Sequence, residues 1–150
     1  MTDKIITDQE ILRKISSPTS EQQVIDLDLV NRLRAANDTG WIAGCGLAAI
    51  QIGIPLMFAW FKFGDKEFTL LNPVILERKG KFKPIDEGCL SIPGSYATIK
   101  RHYKIKYITH GIKKVAKGLK SQIIQHEIDH MNGFLNIDKG VKKIAMGWKA

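Results

Sequence analysis

Residues 125–133 read QHEIDHMNG, and this stretch constrains the chain more than any other. Two histidines four positions apart face one cation only where the segment is helical, because positions i and i+4 share a helix face. Glu127 then stands about 100° around the axis from His126, where its carboxylate reaches a water on the cation instead of the cation itself. A cation acidifies such a water, and a neighbouring carboxylate takes its proton and returns it to a leaving nitrogen. The alternative is a histidine pair that merely caps or packs a helix. A catalytic site of this type also needs a third protein ligand and an open position for water. The fold must therefore carry a donor from elsewhere in the chain to one face of this helix.

Nothing close by supplies that donor. Gly133 stands where one large metalloprotease pattern has a glycine, but the third histidine of that pattern would fall at position 136, which is asparagine. Asp138 is the only acidic residue after Asp129, and it sits in a lysine-rich tail. His102 and His110 fall in a strand and a turn, where a histidine is more often a surface residue. Cys45 and Cys89 remain as soft donors. Either would bind as thiolate, and composition does not choose between them.

A chain of 150 residues is the size of one domain, here 1–150, with a core that needs no staples. Two cysteines are too few for a disulfide framework, and the N-terminus lacks the basic start and apolar run of a secretory signal. The expectation is a cytoplasmic protein with reduced thiols. Mainly apolar stretches such as Ile54 to Phe63 are shorter than a membrane span and are broken by Pro55 and Lys62, so no membrane partner is expected.

Ser20 and Gln23 have capping-box spacing, and Ile25, Leu29, Leu33 and Ala36 continue a helical period, which predicts one amphipathic helix up to Asn37. Short β-like runs follow at Leu47–Gln51, Leu56–Phe63, Glu67–Leu71, Val74–Arg78, Ala97–Arg101 and Tyr103–Thr109, with hairpin turns at Gly64-Asp65 and Lys79-Gly80. Gly118 to Met131 reads as a second helix with Leu119, Ile123, Ile124, Ile128 and Met131 on its apolar positions. Strands bracketed by helices predict an α+β fold, with small antiparallel sheets packed around a central helix that carries HEIDH.

The formal net charge is +8, which attracts RNA, DNA or an anionic surface. The lysines are spread through 100–106, 113–120 and 139–149 with little aromatic interleaving and match no nucleic-acid motif. A solvated basic surface and a ribosome-facing or nucleic-acid-facing one are both compatible with them.

The stretches around the cysteines extend the reading. Gly44-Cys45-Gly46-Leu47-Ala48-Ala49-Ile50-Gln51 and Glu87-Gly88-Cys89-Leu90-Ser91-Ile92-Pro93-Gly94, with Gln125-His126-Glu127-Ile128-Asp129-His130, resemble in order the three motifs of the peptide deformylase family. The resemblance runs from Ile11-Leu12-Arg13 to Gly133 and includes Asn72-Pro73 and Gly118-Leu119. It implies Cys89, His126 and His130 as metal ligands and Glu127 as general acid/base. It implies that the Gln51 amide and the Leu90 N–H hold the oxyanion, where donors fixed in a dry pocket lower a barrier by a few kcal/mol. Gly44, Cys45, Gly46 and Gly88 would line an extended peptide, and a methionine pocket would be formed by Cys45, Leu119, Gln122 and Ile123, made more polar by Cys45 and Gln122.

The implied reaction is removal of the N-formyl group from the initiator methionine of new polypeptides, with release of formate. The implied cofactor is one divalent ion, Fe2+, replaceable by Zn2+, Ni2+ or Co2+; two imidazoles and a thiolate suit zinc as well. Glu87 and Arg101 match pairing positions, and Asp129 is placed to orient a ligand imidazole. N-formylmethionyl nascent peptides are the expected partners of a monomer, with a transient ribosome contact. Many bacterial relatives carry a longer C-terminal helix, used in some for that contact. Only 20 residues follow His130, and Gly140, Gly147 and the tail lysines leave at best a short one. The segment from Arg101 to Leu119 is also short, as in a trimmed hairpin. Two other readings stand beside this one: a small zinc endopeptidase that uses Asp138 or an unrecognised ligand, and a basic RNA- or ribosome-binding module without chemistry.

Overall fold

The computed structural model describes residues 2–39 and 46–144. The helix that carries the histidines, α4 (Gly118–Met131), lies between two three-stranded antiparallel sheets. The first sheet is β1 (Gly46–Ala48), β2 (Phe58–Phe63) and β3 (Lys66–Leu71) in that order. Its central strand is buried on both sides, and period-2 alternation divides its side chains. Ala59, Phe61 and Leu70 join Ile123, Ile124, Ile128 and Met131 of α4 in one core cluster. Phe58, Trp60 and Leu71 join Leu29, Leu33 and Ala36 of α3 (Leu29–Asp38) in another.

The second sheet, in the order β4 (Val74–Lys81), β7 (His102–Thr109), β8 (Ile112–Lys117), covers α4 with Ile105, Tyr107 and Ala116. The third, β5 (Ile85–Gly88), β6 (Ser95–Ile99) and β9 (Val141–Ile144), delivers Cys89 directly after β5. Short helices α1 (Gln9–Leu12) and α5 (Asn136–Lys139) flank that end, where Leu12, Cys89, Ile92 and Leu135 form a third cluster.

The α+β class and the limits of the metal helix agree with the sequence reading; several elements do not. The single helix expected after Ser20 is two, α2 (Glu21–Asp26) and α3, because Asp28 adopts a left-handed conformation (φ 51°) that a short polar side chain tolerates. Leu47–Gln51 is a strand only as far as Ala48, after which Ala49–Ile52 form a 3-10 turn. Gly64-Asp65 does join β2 to β3, but Lys79-Gly80 is no turn: β4 runs through it, paired with β7. The hairpin of the trimmed segment turns at His110-Gly111, both at positive φ, and its return strand β8 was masked in the sequence by lysines. The tail forms α5 and then an edge strand, β9 on β6, where a short helix was the most expected. Among the described residues no helix is long and apolar enough to cross a membrane.

Candidate metal centre

Helix α4 begins where Gly118, at φ +63°, leaves β8, and it stops in a Schellman closure. Phe134 N donates to Asp129 O at 2.9 Å and Gly133 N to His130 O at 3.2 Å, with Gly133 left-handed at φ +79°. The Gly133 match to a protease pattern is thus a helix stop. His126 and His130 project from one face of α4 with ring centroids 4.8 Å apart. The third donor comes from the end of β5, where a tight turn, Ile92 N to Cys89 O at 3.0 Å, holds the buried Cys89.

Cys89 Sγ, His126 and His130 offer donor atoms that all lie within 4.8 Å of one another. His130 Nε2 is 3.1 Å from His126 Nε2 and 3.5 Å from Cys89 Sγ. His126 Nδ1 donates to Glu87 Oε2 at 2.7 Å, which fixes the tautomer and leaves the Nε2 lone pair aimed inward. The His126 and His130 Nε2 atoms and the Cys89 sulfur converge on one point, while His130 Nδ1 has no hydrogen-bond partner among the described residues. The donor set is therefore chemically suited to a divalent ion with mixed N and S preference.

The charges around the site agree. Burial works against a charged Glu87, but His126 and Arg101 hold its carboxyl well below the usual range. Burial likewise disfavours charge on His126, but Glu87, then Cys89, outweigh it and hold the imidazole well above its usual value. His130 goes the other way, kept neutral by burial and by His126. Arg101, 4% exposed, spans Glu87 in a bidentate pair at 2.7 and 2.8 Å and reaches Asp129 Oδ2 at 2.9 Å. Asp129 also receives Lys139 Nζ at 2.7 Å. Asp129 thus does not orient a ligand imidazole and is no surface carboxylate; Glu87 is the residue at the imidazole.

Glu127 is 2% exposed. Its Oε1 is 3.8 Å from His126 Nε2, and its Oε2 has no hydrogen-bond partner among the described residues. Burial, reinforced by Glu87 and opposed by His126 and Arg101, pushes its carboxyl up to about 7. Such a group exchanges a proton near neutral pH. Gln51 is equally buried. Its Oε1 accepts from Ala48 N at 2.9 Å, and its Nε2 donates to Ser91 Oγ at 3.1 Å and points at Cys89 Sγ, 3.8 Å away. Leu90 follows Cys89 and packs against the α3 side of the first sheet.

The other expected residues divide. Gly46 is on the outer strand of its sheet, and a Cβ there would lie 2.5 Å from Phe61 Cβ and 2.6 Å from the Trp60 carbonyl oxygen, so close strand approach alone demands glycine. Gly88 ends the outer strand β5. Gln122 Nε2 faces Glu87 Oε1 at 3.4 Å, Ile123 packs in the core, and Leu119 is 54% exposed, unlike the core position its spacing predicts. Gly44 and Cys45 lie outside the described residues. Asp138, the donor of the endopeptidase reading, is taken by Arg13 at 2.7 and 3.0 Å and is not part of the cluster. His102 and His110 are also apart from it, His110 bonding Thr69 and Glu21.

Sequence reasoning missed Asn136. Where a protease-like third histidine was sought, this 2% exposed side chain donates to the Glu87 carbonyl at 2.9 Å and so props the segment that presents Cys89. Ser91, the acceptor for Gln51, was also passed over. Ser91, two residues from Cys89, could have been found from its polar character beside a ligand; Asn136 carried no such signal, since its partner lies 49 positions away.

Comparison with known proteins gives a consistent result. The Polypeptide deformylase family model matches residues 2–145. A peptide deformylase of Aquifex aeolicus is 36% identical over 159 residues, spanning 98% of this chain and 89% of its own. Among solved structures, a peptide deformylase from Thermotoga maritima aligns with a TM-score of 0.83 at 30% identity, over 93% of this chain and 97% of that one. Another, from Synechococcus elongatus in complex with actinonin, aligns at 0.76 and 29% identity, over 93% and 78%.

Proposed function

This chain belongs to the peptide deformylase family, and from that premise we propose how its own residues remove the N-formyl group from the N-terminal methionine of new polypeptides and release formate. The observation that carries the proposal is the convergence of Cys89, His126 and His130 beside a buried, unpartnered Glu127 oxygen. Cys89 Sγ and the two Nε2 atoms would hold the metal. When bound, the ion polarises the formyl carbonyl and lowers the pKa of the attacking water.

Glu127 takes the proton of that water as its oxygen adds to the formyl carbon, and passes it to the methionine nitrogen as the C–N bond breaks. The products are formate and a free amino terminus. Negative charge that develops on the formyl oxygen is met by Gln51 Nε2 and the Leu90 N–H. Gln51 is suited to this because the Ala48 N–H pins its carbonyl end, so that its amino end faces the Cys89 sulfur.

The peptide lies extended between Gly46 and Gly88, each on an outer strand of its sheet among the described residues, and Gly44 and Cys45 are assigned to the same substrate by the family motif. The methionine side chain is received by Cys45, Leu119, Gln122 and Ile123, and the half-buried Gln122 gives that pocket a polar wall. The resident ion is ferrous iron, with zinc, nickel or cobalt able to replace it. The enzyme acts in the cytoplasm as a single-domain monomer on N-formylmethionyl chains, and its positive charge supports a passing ribosome contact.

The test is a formate-release assay on a formyl-Met peptide with anaerobically purified protein, alongside metal analysis and actinonin inhibition. Equimolar iron, formate release and inhibition are expected. Metal-loaded protein that leaves the formyl group untouched would overturn the reading.

A further inference from the structure

The outward face of the β4-β7-β8 sheet is made improbable by its own electrostatics. The register sets Lys79 of β4 opposite Lys104 of β7, and Lys104 opposite Lys117 of β8. Three ammonium-bearing side chains thus form one row across three strands, about 5 Å from strand to strand. Like charges directly opposite one another in a sheet are destabilising. On the same face, about 7 Å along their strands, stand Lys81 of β4 and Lys106 of β7, with Lys113 of β8 about 13 Å from Lys117. Glu77, the one carboxylate on this face among the described residues, is engaged by Lys79 at 3.1 Å and Lys106 at 3.2 Å. Lys104 and Lys117 have no carboxylate partner among the described residues. Period-2 alternation drives the arrangement: Ile105, Tyr107 and Ala116 take the inward positions against α4 and leave the intervening residues to solvent.

We propose that this face docks RNA, with the Lys79-Lys104-Lys117 row gripping successive phosphates. A polyanion supplies the missing counter-charge in the same periodic form as the lysines, and releases condensed ions as it binds. An anionic membrane fits less well, because the face offers no aromatic side chain to enter the lipid interface. The inference deepens the proposed ribosome contact by naming the surface. Its readout, RNA binding, is separate from formate release, so either can fail without the other.

The experiment uses full-length metal-loaded protein, a fluorescein-labelled RNA hairpin of about 20 base pairs, and anisotropy titrations at several salt concentrations. Wild type is expected to bind with a steep salt dependence. Lys79→Gln with Lys104→Gln is expected to weaken binding by about tenfold and to flatten the log K against log salt slope by about 1.8. Its melting temperature should be no lower than wild type, since a like-charge row has been relieved, and formate release should be unchanged. Lys14→Gln with Lys62→Gln removes the same charge from exposed positions after α1 and on β2 and should bind within twofold of wild type. Equal weakening by the two double variants, no RNA binding by wild type at 50 mM salt, or preference for phosphatidylserine vesicles over RNA would each overturn the proposal. If the Lys79/Lys104 variant melts below wild type, Lys106→Gln with Lys113→Gln tests the same face: weakened binding supports it and unchanged binding overturns it.

Discussion

At the scale of single residues, Glu127 is where stability and chemistry oppose each other. Its folded carboxyl titrates near 7, against 4.5 for an ordinary glutamate, mainly because it is buried. Between those values the folded metal-free protein keeps a proton that the unfolded chain has released. This group therefore weakens the fold as pH rises, by about 3 kcal/mol once pH exceeds 7. Glu87 has the opposite sign: its folded value is depressed, so its contribution is complete above 4.5 and is lost as pH falls through the folded value. Metal-free Glu127→Gln is accordingly expected to exceed metal-free wild type in urea stability by about 1–3 kcal/mol at pH 8, with the advantage gone by pH 4.5. An advantage that did not vary with pH would show that ionisation is not its source. In the metal-loaded protein the same substitution should cut formate release by about 10²–10⁴-fold without changing bound metal. Glu87→Gln should do the reverse, weakening metal affinity by about 10–100-fold, measured by competition with a chelator. The histidine pair and Glu127 were legible because helix spacing alone relates them. Glu87 meeting His126 across 39 positions was not legible from spacing; the family resemblance marked Glu87 and Arg101 as pairing positions without naming the imidazole, and gave the orienting role to Asp129, next to His130 in sequence.

At the scale of elements, the boundaries of α4 were readable because glycine punctuates both, and the two glycines separate two causes. Gly118, at φ +63°, has open space where a Cβ would go, whereas a Cβ on Gly133, at φ +79°, would lie 2.4 Å from the Arg13 carbonyl oxygen at the end of α1. Gly118→Ala should cost only the left-handed backbone, about 1–2 kcal/mol, and Gly118→Asn less. Gly133→Ala adds a backbone collision and should cost about 3 kcal/mol or more, with Gly133→Asn no better. Chemical denaturation of the four variants checks this, and a Gly133→Asn that recovered stability would remove the packing argument. Two of the strands that escaped the sequence reading share a physical reason. β8 and β9 are edge strands whose lysines and exposed apolar residues (Val115, Val141, Ile144) carry no alternation to detect, since edges are commonly guarded by charge. The break between α2 and α3 rests on one left-handed aspartate within an otherwise continuous helical period.

At the scale of the whole molecule, α4 is gripped by two sheets through apolar contact, while the β5 end of the third sheet meets the helix through polar groups: Cys89 at His130, Glu87 at His126 and Gln122, and Arg101 bridging Glu87 to Asp129. An ion held by Cys89, His126 and His130 ties that third sheet to the helix, and its binding energy becomes folding energy. At a metal concentration about a thousand times the dissociation constant, the tie adds about 4 kcal/mol. For a chain of this length that corresponds to roughly 10 °C in melting temperature. Chelation should therefore lower the melting temperature of wild type by about that amount. Cys89→Ala should melt low from the outset and respond little to chelator, and the Lys79→Gln, Lys104→Gln variant should respond as wild type does. Calorimetry with and without chelator reads all three. A wild type that lost formate release on chelation but kept its melting temperature would mean that the β5–β6 sheet is held to α4 by the Arg101-Glu87-Asp129 ion pairs alone, with the metal contributing chemistry and no architecture.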